Sequence, residues 1–152
     1  MSLDLQPLLD ALVSHAAASG HFQRVNQHEP KSAPGNGLTA AIWFQTIGPA
    51  IGGSGLASTS PRVELRVRIY QNALMQPQDA IDPMVTAATS ALMTAYSGDF
   101  SLGGLVRQVD LLGAYGTALS AQAGYLDVDG KKYRVVDVTV PLIVNDVFDQ
   151  AP

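Results

Sequence analysis

The chain has 152 residues and a mass of 16.0 kDa, enough for one hydrophobic core and too little for two ordinary domains. Apolar residues make up 47% of it and charged residues only 14%, few for a protein whose whole surface meets water, so a partner is expected to cover part of that surface. A formal net charge of −4 without a basic block argues against nucleic-acid binding, and the lack of cysteine excludes disulfides, thiolate nucleophiles and cysteine-ligated zinc.

The opening residues lack the basic start and apolar stretch of a secretory signal, and no apolar run is long enough to span a bilayer, so a soluble product is expected. Residues 5 to 18 place Leu5, Leu8, Leu9, Leu12, Val13 and Ala16 at three- and four-residue steps, which predicts a helix ending at Gly20. Residues 21 to 28 alternate, and the Pro- and Gly-rich tract 29 to 37 is a loop.

Thr39 to Ile47 predicts a strand with Ile42 and Phe44 on one side, Trp43 and Ile47 on the other, and both faces covered. The bend Gly52-Gly53-Ser54-Gly55 then leads to a period-two row, Val63, Leu65, Val67 and Ile69, opposite Arg62, Glu64, Arg66, Arg68 and Tyr70. Asp82-Pro83 predicts a capped helix start, with Val85, Ala88, Leu92 and Tyr96 inward, Met84, Ala91 and Ala95 widening the stripe, and Gly98 as the stop.

A strand is expected over Leu105 to Leu112, and Asp129-Gly130 predicts a tight turn joining strands at 124 to 128 and 131 to 144. Val136, Val138, Val140, Leu142 and Val144 share a face of the last strand, and Pro141, which has no amide hydrogen, belongs at an edge or bulge. The order helix, three strands, helix, three strands predicts an α+β fold, a mainly antiparallel sheet with two α-helices packed on one face. The chain is expected to form one domain over residues 1 to 152, with its core at about 3 to 148 and a flexible hairpin tip at about 51 to 60.

Motifs for chemistry are scarce. His15, His21 and His28 do not fall on one helix turn or strand face, so no metal site is expected from them. The glycine bend lacks the second glycine of a nucleophile elbow, since Leu56 stands there, and it lacks the dinucleotide and phosphate-loop signatures. Asp127 and Asp129 lack the twelve-residue calcium loop with its closing glutamate. No catalytic, cofactor or metal residue is therefore assigned. The glycines and serine at positions 52 to 55, already named, are the candidate assembly tip. Arg62, Glu64, Arg66 and Arg68 are the candidate subunit interface, with Asp127, Asp129, Asp137, Asp146 and Asp149 as partners for the arginines across it.

The segment from Asp82-Pro83 through Ser97-Gly98-Asp99-Phe100, Gly103-Gly104, Val109-Asp110-Leu111-Leu112-Gly113 and Val140-Pro141-Leu142-Ile143-Val144-Asn145-Asp146 resembles the C-terminal half of phage tail terminator, or tail-completion, proteins. The likeness covers residues 3 to 148 and is to the form common in long non-contractile-tailed phages of actinobacteria, which is similar in fold to the terminator of phage lambda. The resemblance implies a structural virion protein and not an enzyme, without a cofactor, at the head-proximal end of the tail and in the host cytoplasm during assembly. It also implies a homo-hexameric ring that ends tube polymerisation, touches the tail tube protein and the head-tail connector, and lets DNA pass without specific binding or any membrane contact. Alternatives from the residues are a head-side connector or neck ring protein, or a small-molecule-binding α+β domain with a pocket lined by Trp43, Tyr96 or Tyr115.

Overall fold

The computed structural model describes residues 3 to 30, 37 to 50, 58 to 145, 148 and 149. The expected tip, Gly52, Gly53, Ser54 and Gly55, lies outside these described residues, as does most of the loop at 29 to 37. Helix α1 runs Gln6–Ala18 with Pro7 in its first turn, where the missing amide hydrogen costs nothing, and buries Leu8, Leu9, Leu12 and Ala16. It closes where the Ser19 hydroxyl donates to the Ala16 carbonyl at 2.6 Å.

Helix α2 spans Ile81–Gly98 after a single 3-10 turn at Gln78–Ala80. Asp82 does not cap it: the cap position is Ala80, so the preceding turn has displaced the start by two residues, and Asp82 instead accepts from Arg134 Nε at 2.9 Å. The predicted inward residues Val85, Ala88, Leu92 and Tyr96 are all buried. Met84, expected to widen this stripe, is exposed, and Ile81 and Thr89 take that place. The buried Tyr96 hydroxyl donates to the Leu12 carbonyl at 3.2 Å and so ties the helices together.

The sheet contains β1 (Arg24–Asn26), β2 (Thr39–Pro49), β4 (Pro61–Asn72), β5 (Gln108–Val109), β6 (Ser120–Val128) and β7 (Lys131–Ile143), while β3 (Ser58–Thr59) pairs separately with β8 (Phe148–Asp149). Its order is β1-β2-β4-β7, with β5 and β6 sharing the far side of β7. Among the described pairs β1 and β2 run parallel and the rest antiparallel. The Asp129-Gly130 turn between β6 and β7 has φ values of 51° and 76°, the geometry a tight primed hairpin needs.

Alternation sorts the side chains into two faces. Val63, Leu65, Val67 and Ile69 of β4 meet Val136, Val138, Val140 and Leu142 of β7 in one cluster, beneath the apolar stripes of both helices. Each such side chain contributes about 1.5–3 kcal/mol by leaving water, so this cluster is the main source of stability. Two helices on one face of a mainly antiparallel sheet make the fold α+β.

Three expectations are corrected. The strand at 105 to 112 shrinks to Gln108–Val109, because the backbone turns at Leu102, Gly103 and Gly104, all with positive φ, and turns again after Asp110. That buried carboxylate accepts the amides of Ala114 and Tyr115 at 2.7 and 3.0 Å. Ile47 changes sides because a bulge between Phe44 and Thr46 shifts the register, so Ile47 opposes Val63 on the helix-bearing face, and both Phe44 and Ile47 are exposed rather than covered. Pro141 lies in the central strand β7, where β6 has ended at Thr139 and β5 begins at Leu142, so its missing amide hydrogen falls in a gap between neighbours.

Candidate assembly surface

Among the described residues no helix covers the second face of the sheet, and the strict alternation of β4 places Arg62, Glu64, Arg66 and Arg68 there together. Their side chains are nevertheless mostly withdrawn from water, between 11 and 27% exposed. The neighbouring strands explain this. Asp137 of β7 stands opposite Arg68 and receives its Nε at 2.5 Å and its second nitrogen at 3.2 Å, a two-pronged contact, while Arg66 reaches the same carboxylate at 3.2 Å. Trp43 of β2 lies under the Arg68 guanidinium, 5.2 Å from ring centre to Cζ.

A second knot forms at the other end of the row. Arg62 donates to Glu64 and to the Thr117 carbonyl, and its Nε stands 4.0 Å from the buried Asp110 carboxylate. Thr46 donates to Glu64 at 3.1 Å. Burial works to raise the Glu64 pKa, but the hydrogen bond and charge of Arg62, with help from Thr46 and Thr117, outweigh it and hold the carboxyl below its ordinary value. Burial likewise disfavours the Arg68 cation, and the bond and charge of Asp137 reverse that.

Asp137, expected as a partner across a subunit boundary, is thus engaged inside its own chain. Asp127 is exposed on β6 opposite Lys132, and Asp129 sits in the hairpin turn; Asp146 and the side chain of Asp149 lie outside the described residues. The row carries three guanidinium groups against the carboxylates of Glu64, Asp110 and Asp137, with the exposed Glu29 3.9 Å from Arg68, so each of its cations has an acid of the same chain beside it. Its companions Trp43, Thr46 and Asp110 escaped sequence reasoning as members of the row. The single tryptophan in a strand preceding an arginine ladder was the one available signal.

The residues proposed for a small-molecule pocket do not come together. Trp43 is on the charge-bearing face, packed against the buried Ala41, Tyr70, Tyr133 and Val135, whereas Tyr96 is fully buried beneath the helices on the opposite face, where burial pushes its hydroxyl pKa far above the ordinary range. The histidines are likewise dispersed, and His15 of α1 contacts Asp99 at 2.9 Å. Among the described residues no three histidine or carboxylate side chains cluster as metal ligands, and no helix is long and apolar enough to cross a membrane.

The fold places the chain among α+β proteins with a helix pair on one side of an antiparallel sheet. No protein-family profile matches the sequence, and no curated protein matches it. Among solved structures the chain is similar to the sheath/tube terminator, in its extended state, of an extracellular contractile injection system, PVC. The TM-score is 0.44 at 11% identity, with 100% of this chain covered. The chain spans 62% of the length of that terminator chain.

Proposed function

We propose that the chain is a structural assembly protein, a single-domain tail terminator whose copies form a homo-hexameric ring on the head-proximal end of a phage tail tube. The ring ends tube polymerisation and presents the surface that joins the head-tail connector. The observation that carries this reading is the sheet itself: helices cover one face, and the other bears a charge row neutralised within the subunit. Such a unit offers surface for packing against copies of itself. The tail-terminator pattern read in residues 82 to 146 supplies the tail as the place of assembly, in the form found in long non-contractile tails.

A neutralised face also suits a channel for DNA. Unpaired guanidinium groups would replace phosphate counterions and hold the duplex, whereas groups already paired with Glu64, Asp110 and Asp137 have little to gain from phosphate. The glycine-rich tip at 52 to 55 would pack against the tube or a neighbour.

The test is polymerisation of the cognate tail tube protein with and without this protein, with tube lengths measured by negative-stain imaging. The proposal expects short tubes bearing a ring at one end; an unchanged length distribution overturns it. Binding to the connector but not to the tube assigns the chain to the neck instead. Deletion of residues 52 to 58, which also removes Ser58 of β3, is expected to abolish capping while leaving the main sheet and both helices folded, and retained capping would remove the tip from the account.

A further inference from the structure

Among the described residues, neither long margin of the main sheet carries a further strand over most of its length. On one side, β1 pairs with β2 only through Thr39, Ala40 and Ala41, so among the described residues the outer edge from Trp43 to Pro49 has no strand neighbour. On the other, among the described residues β6 pairs with β7 alone. Open edges are ordinarily guarded by charges or proline, because their free amides and carbonyls recruit other strands. Here each guard stands at the end of its strand, Pro49 on β2 and Asp127 on β6, and the stretches 43 to 48 and 120 to 126 before them carry no charged residue and no proline.

The two margins also differ in a complementary way. The bulge in β2 puts both Phe44 and Ile47 on the helix-bearing face, where they are 38 and 46% exposed. Beside β6, on that same face, lies an open groove of about 650 Å³ between α2 and the strand, lined by Thr89, Met93, Ala121, Ala123 and Val136 among others. Its floor along β6 is made of alanines, so it has room for large side chains.

We propose that the occupant is a second copy of this chain: the β2 edge of one subunit adds to the β6 edge of the next, and Phe44 and Ile47 enter the α2–β6 groove. Strand direction permits it. Three successive antiparallel steps separate β2 from β6, so a neighbour placed with its sheet in continuation brings its β2 antiparallel to β6, with helix faces on the same side. The contact uses different patches on its two partners, and such heterologous contacts propagate until they close into a ring. The inference rests on the self-assembly part of the proposed function and not on its role at the tail.

The absence of cysteine makes crosslinking clean. Ile47→Cys and Ala123→Cys change exposed positions; they are made singly and together and treated with a short bismaleimide, with circular dichroism as the folding control. The double variant is expected to give a ladder of covalent multimers, and a mixture of the two single variants is expected to stop at heterodimers. Ala123→Lys, which puts a charge into the groove, is expected to weaken association at least tenfold. Dimers from either single variant alone, or no crosslink at the highest concentration attainable, overturn the proposal. Tube capping without the ladder removes only this contact; the ladder without tube capping removes only the tail role.

Discussion

Arg68 and Asp137 face each other across adjacent strands, 69 residues apart in the chain, joined by two hydrogen bonds of 2.5 and 3.2 Å with Arg66 sharing the same carboxylate. This places one acid between two cations on a face that no helix shelters. Asp137→Ala is expected to leave both guanidinium groups half-buried without their partner and to cost about 1.5–3 kcal/mol, the range for hydrogen bonds to charged groups. Urea denaturation is the check: the midpoint falls while the slope stays constant. Arg66→Ala, which removes one longer bond, is expected to cost less.

Asp110 holds the chain reversal after β5 by accepting two amides and approaching Arg62. Asp110→Ala strands those donors in a buried place and is expected to destabilise by more than about 2 kcal/mol, as befits unsatisfied buried polar groups. Gly116 matters at the same spot. A Cβ there would lie 2.8 Å from Arg62 Nε, and its φ of 152° already disfavours a side chain, so Gly116→Ala is expected to lower the melting temperature as well.

The helix pair offers a subtler test. Tyr96→Phe removes only the hydroxyl that donates to Leu12, so the expected loss is about 1 kcal/mol, with packing otherwise preserved. The raised pKa of that phenol means it stays protonated when ordinary tyrosines ionise. Ultraviolet titration of the folded protein is expected to show Tyr96 ionising near pH 10 only after unfolding, and Tyr70, whose pKa burial also raises, ionising later in the folded protein than in the unfolded one.

Acid should weaken the fold through Asp99 and Glu64. The hydrogen bond from His15, joined by the Gly103 amide, lowers the Asp99 pKa, and Glu64 is held low by Arg62 against the opposing effect of burial. A carboxyl whose folded pKa lies below its unfolded value adds stability that is fully present above the unfolded value, about 4, and is lost as pH falls through the folded one. Stability is therefore expected to drop below about pH 4, and Asp99→Asn is expected to flatten that slope in chemical denaturation at a series of pH values.

Much of this architecture could be read from residue patterns because the relevant signals are local. The period-two row of β4, the Asp129-Gly130 turn and the stripes of both helices each lie within a few residues of themselves. What escaped depends on distant partners or on backbone irregularity. The bulge that turns Ile47 has no residue signature, and the Leu105 to Leu112 run looked like a strand until Asp110 bent it. The arginine row is visible in the sequence, but that Asp137 pairs with it inside one subunit is not, because alternation shows which side chains share a face and not which strand lies beside them.

Copies of this chain are proposed to assemble into a closed ring. Light-scattering mass over a concentration series, with negative-stain imaging of the same samples, tests it most directly. Six copies of 16.0 kDa predict a particle of about 96 kDa with a central hole. A 16.0 kDa monomer at every concentration would contradict the claim.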